Sequence, residues 1–322
     1  MLSASRAEEL IRSFPSKSLL VIGDVILDKF IYGSVTRQSP EAEDCPVLDF
    51  EKEFSMLGGA ANVAANLRSL GCREVRLIGI TGNDDSSLIV QRLLHDAGII
   101  NHLYSSVSEP TITKVRFVSN KHLLRFDTEP SLPLPSFLEF ELCERIRRIK
   151  HIDGIILQDY DKGIFTPSLV ECVMQFAQDS DIPVFVDPKQ RHWSLFKNAD
   201  IVKPNLKEAR IATGQNKESN PCVLAKAVRK ITKAKAVIVT AGSKGMALSS
   251  AKEMSWSLPR PVEVVDVSGA GDAVISALAL SRLSGASMVE SMSLANAAAG
   301  ISASKRGTAV TEAKELLSFY NK

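Results

Sequence analysis

Asp266-Val-Ser-Gly-Ala-Gly-Asp272 runs without a break into Ala273-Val-Ile-Ser-Ala-Leu-Ala-Leu280, a glycine-rich turn opening onto a helix of small residues. Such a turn leaves several backbone N–H groups unbonded and aims them, with the positive end of the helix dipole, at one place: an anion site. Asp272 stands at its mouth. The dipole favours a carboxylate there, so Asp272 is expected to stay ionised and to accept a proton from a substrate hydroxyl as a phosphoryl group is transferred. The same residues also read as a tight turn with an aspartate N-terminal cap. No Gly-x-x-x-x-Gly-Lys-[Ser/Thr] occurs in the chain, which excludes an ordinary P-loop, so phosphate chemistry requires another fold.

The surrounding pattern supplies one. Short apolar runs recur at Leu19 to Ile22, Val75 to Ile80, Gly154 to Leu157, Val184 to Val186, Ala199 to Val202 and Ala236 to Thr240, each closed by Gly, Asp or Pro. Runs of that length, rich in Val and Ile, predict strands buried on both faces. Helical patterns lie between them; from Ala60 to Leu70, residues Ala60, Val63, Ala64, Leu67 and Leu70 share one stripe that Gly71 ends. The alternation predicts a doubly wound α/β sheet, with a ligand crevice at the carboxyl ends of the strands. Residues 28–50 and 110–127 break the pattern; Thr111-Ile-Thr-Lys-Val-Arg-Phe-Val118 alternates as a half-exposed antiparallel strand does, and the two segments are expected to form a small flap over a ligand or at a subunit contact. No linker or repeat divides the chain, so residues 1–322 read as one domain, with a surface loop at 129–137.

Two more constellations fall beside predicted strand ends. Gly58-Gly-Ala-Ala-Asn-Val-Ala64 opens a helix with glycines and offers the Asn62 amide to a polyol; taken alone it reads more readily as close helix packing with Asn62 exposed. Lys203-Pro-Asn-Leu-Lys-Glu208 places an amide and a carboxylate where they could order Mg²⁺ through water, and it also reads as a helix start with Asn205 as cap and Glu208 completing a capping box. The five histidines show no metal-ligand spacing, and a Gly-x-Ser-x-Gly elbow is absent.

Composition narrows the partners. With 39 basic and 37 acidic residues the net charge of +2 does not indicate nucleic acid or a membrane surface. The five cysteines are an odd number and far apart, without a CxxC pair, so neither a disulfide framework nor a zinc site is expected and a reducing compartment fits. No apolar stretch reaches the roughly 20 residues of a spanning helix, and Glu8, Glu9 and Arg12 interrupt the place of a signal peptide. A cytoplasmic protein is expected.

Taken together the motifs resemble the ribokinase-like (PfkB) carbohydrate kinases, whose two signature regions are similar to Gly58-Gly-Ala-Ala-Asn62 and Asp266 to Asp272 in the same order. The resemblance covers nearly the whole chain, through Val21-Ile-Gly-Asp24 with Asp28, Asn205 to Glu208, Val239-Thr-Ala-Gly-Ser-Lys-Gly245, and Asn296 in Ala295-Asn-Ala-Ala-Ala-Gly300. Gly23-Asp-Val-Ile-Leu-Asp28, Tyr32-Gly33, Arg37-x-Ser-Pro-Glu-Ala42, Pro110-Thr-Ile-Thr-Lys-Val-Arg116, Asp159-Tyr-Asp-Lys-Gly163 and Asp187-Pro-Lys189 are similar to the branch that phosphorylates the anomeric hydroxyl of D-glycero-D-manno-heptose 7-phosphate.

This resemblance implies a doubly wound, mostly parallel sheet with a small antiparallel flap, and ATP, Mg²⁺ and a sugar phosphate as ligands, with a monovalent cation left open. It implies Asp272 as the base and the N–H groups of Gly269, Ala270 and Gly271 as an anion hole. Asp24, Asp28, Arg37, Gly58, Gly59, Asn62 and Asp159 fall on the sugar side, and Lys114, Arg116, Arg125, Lys162 and Lys189 are candidates for its phosphate. Lys189, Asn205, Glu208, Thr240, Gly242, Gly245 and Asn296 fall on the nucleotide side, with Glu208 reaching the metal through water. A homodimer through the flap is expected, the product would be the 1,7-bisphosphate that feeds ADP-heptose and lipopolysaccharide core synthesis, and the nucleotidyltransferase step would sit on another protein. Two departures stand out: Glu43-Asp-Cys-Pro-Val47 is more acidic than the family's usual Pro-Val-Pro-Val, and Ser268 replaces a Thr while keeping the hydroxyl. A kinase for another sugar, sugar phosphate or nucleoside remains open, as does a non-catalytic nucleotide- or sugar-phosphate-binding regulator, although a binder has no need of Asp272.

Overall fold

Every residue of the strand Ser18–Gly23 is buried. Leu19 and Val21 pack into the core on one face, Leu20 and Ile22 into a second core on the other, as an apolar run with period-two side chains requires when helices cover both faces. The structure, a computed structural model, describes residues 2–42, 44–130, 134–216 and 219–321; Glu43 of the acidic departure and residues 131–133 of the expected loop lie outside them. Among the described residues, nine strands form the main sheet in the order Met254–Ser257, Met246–Ser250, Ala236–Thr240, Ile201–Val202, Val184–Asp187, Gly154–Gln158, Ser18–Gly23, Glu74–Ile78 and Ile100–Asn101. All neighbours are parallel except the pairings of Ala236–Thr240 with Met246–Ser250 and of the latter with Met254–Ser257. No helix among the described residues is long and apolar enough to cross a membrane.

The strand order reverses beside Ser18–Gly23. From there the chain steps outward to Glu74–Ile78 and Ile100–Asn101, then returns to lay Gly154–Gln158 on the other side and steps away in the opposite direction. The carboxyl ends of those two central strands therefore diverge around a crevice, where such sheets take their ligands. Asp24 follows the first strand, Gln158 ends the second, Asp187 ends the next, and Lys203 follows the one after.

Among the described residues the flap is a second sheet of four strands. Val25–Gln38 pairs antiparallel with Pro46–Gly59, Ile112–Val118 pairs antiparallel with His122–Thr128, and the two hairpins join by a parallel pairing of Val25–Gln38 with Ile112–Val118. It reaches further into the molecule than the expected segments 28–50 and 110–127, because Val25, Ile26, Leu27 and Leu57 are apolar and buried at its root. Register sorts its faces. Asp28, Phe30, Lys114 and Arg116 share the side that carries the site, while Ile31, Phe50, Val115, Phe117, Leu124 and Phe126 share the other. On that outer side Phe50, Leu124 and Phe126 are 66%, 61% and 58% exposed.

Candidate active site

The helix Ala270–Leu283 begins at the crevice, and its residues from Asp272 to Ser281 are all buried. Gly269 caps it with φ 77°, and a Cβ there would also come within 2.8 Å of the Asn62 amide nitrogen, so the turn demands glycine. Asp272, in the first turn, is 2% exposed. Its Oδ2 accepts a hydrogen bond from Asn62 Nδ2 at 2.7 Å; its Oδ1 accepts from Gln158 Nε2 at 3.1 Å and from Tyr160 Oη at 3.0 Å. Gln158 Nε2 also serves Asp187 Oδ2 at 3.1 Å, and Lys203 Nζ pairs with that same oxygen at 3.0 Å. Asn62 is buried rather than exposed, and Asn66 donates to its side-chain oxygen.

Burial raises the Asp272 carboxyl to about 7, with Asp187 adding to the effect, against the hydrogen bonds from Asn62 and Tyr160 and the nearby Lys203 charge. The helix dipole favours the ionised form here, and desolvation opposes it, so the carboxylate holds its proton more tightly than a free aspartate. The anion hole is also revised. The Ala270 N–H donates to Val267 O at 3.3 Å, whereas the N–H groups of Gly269 and Gly271 have no partner among the described residues. Lys203 Nζ lies 3.6 Å from where a Cβ on Gly271 would stand, which adds a buried ammonium to this corner.

On the acceptor side, Asp28 Oδ1 pairs with Arg116 Nη1 at 2.6 Å, and Lys114 and Lys189 Nζ lie 5.6 and 5.2 Å from the Tyr160 ring centroid. Lys162 pairs with Glu129. Asp24 accepts the N–H groups of Tyr160, Lys162 and Ile164, shaping the turn 160–164; burial and the neighbouring Asp159 raise its carboxyl to about 7. Gly58 leaves room for the Asp28 carboxylate, and Gly59, at φ 57°, for the Asp24 carbonyl, so both glycines accommodate protein atoms.

Three expected ligands are placed elsewhere. Asp159 is fully buried and spent on the N–H groups of Asp161 and Lys189 and on His192 Nδ1, because alternation at the strand end turns it into the protein. Arg37 is exposed near the far end of its strand, nine residues beyond Asp28 and so roughly 30 Å away at about 3.3 Å per residue. Arg125 stands across from Arg116 but is exposed and pairs with Asp127 at 2.9 Å.

Four of the expected nucleotide-side residues line one cavity of about 480 Å³, while Lys189, Asn205 and Glu208 do not. Thr240, Gly242, Gly245 and Asn296 line it with Ala270 and Gly271, so it opens onto the helix start beside Asp272. Most of its remaining wall is apolar, from Val262, Val264, Val267, Val274 and Ala299, with Ser243 and Arg260 as polar exceptions. Asn205 and Glu208 form the capping box of the helix Leu206–Thr213: Asn205 Oδ1 accepts the Glu208 N–H and Glu208 Oε2 accepts the Asn205 N–H, both at 2.8 Å. Glu208 Oε1 also holds Lys189 Nζ at 2.5 Å. Burial opposes it, but the Asp187 and Glu208 carboxylates raise the Lys189 pKa, so that side chain stays charged. Among the described residues no three His, Cys, Asp or Glu side chains converge as a metal site. A Mg²⁺ carried in by phosphates needs only one or two carboxylates and keeps most of its waters; Glu208 stands behind the cavity wall, in a capping box with Asn205, which bridges to the lining residue Thr240.

Gln158, Tyr160, Asp187 and Lys203 join the site without having been assigned to it from sequence. Their signal is position: each stands at or just beyond the carboxyl end of a buried apolar strand.

Comparison with known proteins agrees with this geometry. Residues 16–315 match the pfkB family of carbohydrate kinases. The bifunctional protein HldE of Caulobacter vibrioides is 40% identical over 315 residues, and that of Granulibacter bethesdensis 39% over 315. These matches cover 95% and 94% of this chain but 64% of each relative, so the chain spans just under two thirds of the curated relatives' length. Among solved structures, phosphofructokinase-2 of Escherichia coli in complex with potassium superposes with a TM-score of 0.77 at 21% identity, covering 95% of this chain and 98% of that one. Ribokinase of Arabidopsis thaliana, complexed with ribose and ATP, gives 0.73 at 22% identity over 95% and 99%. The fold is thus ribokinase-like, and the family match over most of the sequence identifies the chain as a phosphotransferase, a member of the pfkB family of carbohydrate kinases.

Proposed function

We propose that this chain transfers the terminal phosphoryl group of ATP to the anomeric hydroxyl of D-glycero-D-manno-heptose 7-phosphate, forming the 1,7-bisphosphate on the way to ADP-heptose and the lipopolysaccharide core. One observation carries the transfer: a buried carboxylate, Asp272, stands where a nucleotide-sized cavity meets a crevice lined with Lys114, Arg116 and Lys189. The acceptor is argued from the resemblance of the segments around Asp28, Arg116 and Tyr160 to the heptose-phosphate branch.

The sugar hydroxyl oxygen bonds to the terminal phosphorus, the bond to the bridging oxygen of ADP breaks, and the hydroxyl proton passes to Asp272. The Gly269 and Gly271 N–H groups and Lys203 stabilise charge on the transferring oxygens. Mg²⁺, when bound, neutralises charge on the nucleotide phosphates, and Glu208 would hold it through water. The cations of the flap and of the facing turns receive the phosphate already on the sugar. Residues 1–322 act as one kinase unit in this reading, and the outer flap face, with Phe50, Leu124 and Phe126 exposed, serves a homodimer. All five cysteines are free thiols, which accords with work in the cytoplasm beside ATP.

The test is ADP release by purified protein with ATP·Mg²⁺ and a panel of heptose 7-phosphate, ribose, fructose 6-phosphate and adenosine. Turnover confined to the heptose phosphate supports the proposal. Turnover with another acceptor keeps the kinase and moves its substrate, and silence despite nucleotide binding identifies a regulator.

A further inference from the structure

Tyr160 lies just past the strand Gly154–Gln158, and its backbone is pinned by the hydrogen bond to Asp24 Oδ2 at 2.8 Å. Its side chain turns back to the helix start and donates to Asp272 Oδ1 at 3.0 Å. The other two donors to that carboxylate have second duties: Gln158 Nε2 also holds Asp187, and Asn62 is tied to Asn66. The Tyr160 hydroxyl has no other partner among the described residues, and its ring is flanked by Lys114 and Lys189 on the acceptor side.

We propose that Tyr160 is the positioning residue of the transfer step, its hydroxyl orienting Asp272 and holding that carboxylate in the proton-accepting form. The inference rests on the reading of Asp272 as the base. A hydrogen bond donated to an ionised carboxylate favours that form, and it counts most where burial opposes it. Burial and the surrounding Asp272, Asp187 and Asp28 carboxylates hold the Tyr160 phenol well above its ordinary range, so it keeps the proton it donates. The charged groups facing Asp272 are Asp187 and Lys203; those facing Tyr160 are Asp28 and Lys114 from the flap, with Asp187 and Lys189 from the main sheet. Tyr160→Phe alters none of them and keeps the ring between its two lysines.

The test is the pH profile of kcat/KM for the sugar phosphate. In Tyr160→Phe the acidic limb moves to higher pH by about one unit, the scale of one hydrogen bond to a charged group. Activity then falls more at pH 6 than at pH 8.5, while the KM for ATP holds. An equal loss at every pH, or no loss, overturns the inference. If that variant does not fold, 3-fluorotyrosine at position 160, a stronger donor, shifts the limb to lower pH, and an unmoved limb overturns it too. Asp272→Asn separates the two readings: if it keeps turnover, the base assignment has failed; if it is inactive while the Tyr160 limb stays in place, only this inference has.

Discussion

Where the proposed nucleotide half of the crevice is walled largely by Val262, Val264, Val267, Val274 and Ala299, the proposed acceptor half carries charge: the Asp28–Arg116 ion pair, with Lys114 and Lys189 beside the Tyr160 ring. Of the polar side chains of the first half, Asn296 Nδ2 donates to Ser257, Thr240 Oγ1 to Pro204 O and Arg260 Nη1 to Phe319 O. A wall of that kind recognises by shape and discriminates weakly. Paired, largely buried charges reject a partner that leaves them unsatisfied. Asp272 stands at the seam and belongs to neither half, so the halves separate experimentally.

The largest effect is expected at the seam. Asp272→Asn should lower kcat by about 10³-fold while calorimetry shows both ligands still binding, since only the proton acceptor is removed. Loss of binding in step with turnover would mean that the carboxylate holds one half together. Next, Arg116→Gln should raise the KM for the sugar phosphate by about 10- to 100-fold and leave that for ATP alone, because a charge-assisted contact is lost from the acceptor half only. On the other side, Gly300→Val should raise the KM for ATP by about tenfold with the acceptor KM unchanged; a Cβ there already meets Val262 at 3.2 Å, so added bulk enters the cavity. Equal changes in both KM values, from either variant, would break the division.

The smallest effect concerns stability. Asp272 binds its proton more tightly folded, near 7, than its ordinary 3.8, so the stability it contributes is complete below about pH 4 and is lost as pH rises through 7. Thermal melts between pH 5.5 and 8 should show the wild type losing a few degrees more than Asp272→Asn. Parallel curves would mean that the carboxylate is ionised across that range.

The strands were legible because burial on both faces writes itself into unbroken apolar runs, as at Leu19 to Ile22, and because helices such as Ala60–Ser69 keep a stripe. The glycine turns and Asp272 were legible because their chemistry is local. Gln158, Asp187 and Lys203 were not: each is a lone polar residue at the end of an apolar run, and what brings them together is sheet order, which the spacing of the sequence does not carry. Asp159 and Arg37 misled for related reasons. The first is one residue from the crevice but turned inward, and the second sits on a flap strand so long that its far end leaves the site. The proton affinity of Asp272 is a property of burial, which a motif does not show.

We propose that the acceptor half reads the charge of a phosphorylated sugar. The most direct test is kcat/KM for D-glycero-D-manno-heptose 7-phosphate against the same heptose without its phosphate, under equal ATP·Mg²⁺. A preference of about 10²-fold or more for the phosphorylated sugar, narrowing as salt is added, is the predicted result. Equal turnover of the two sugars would contradict it, leaving the cations around Tyr160 to hold the flap rather than the substrate.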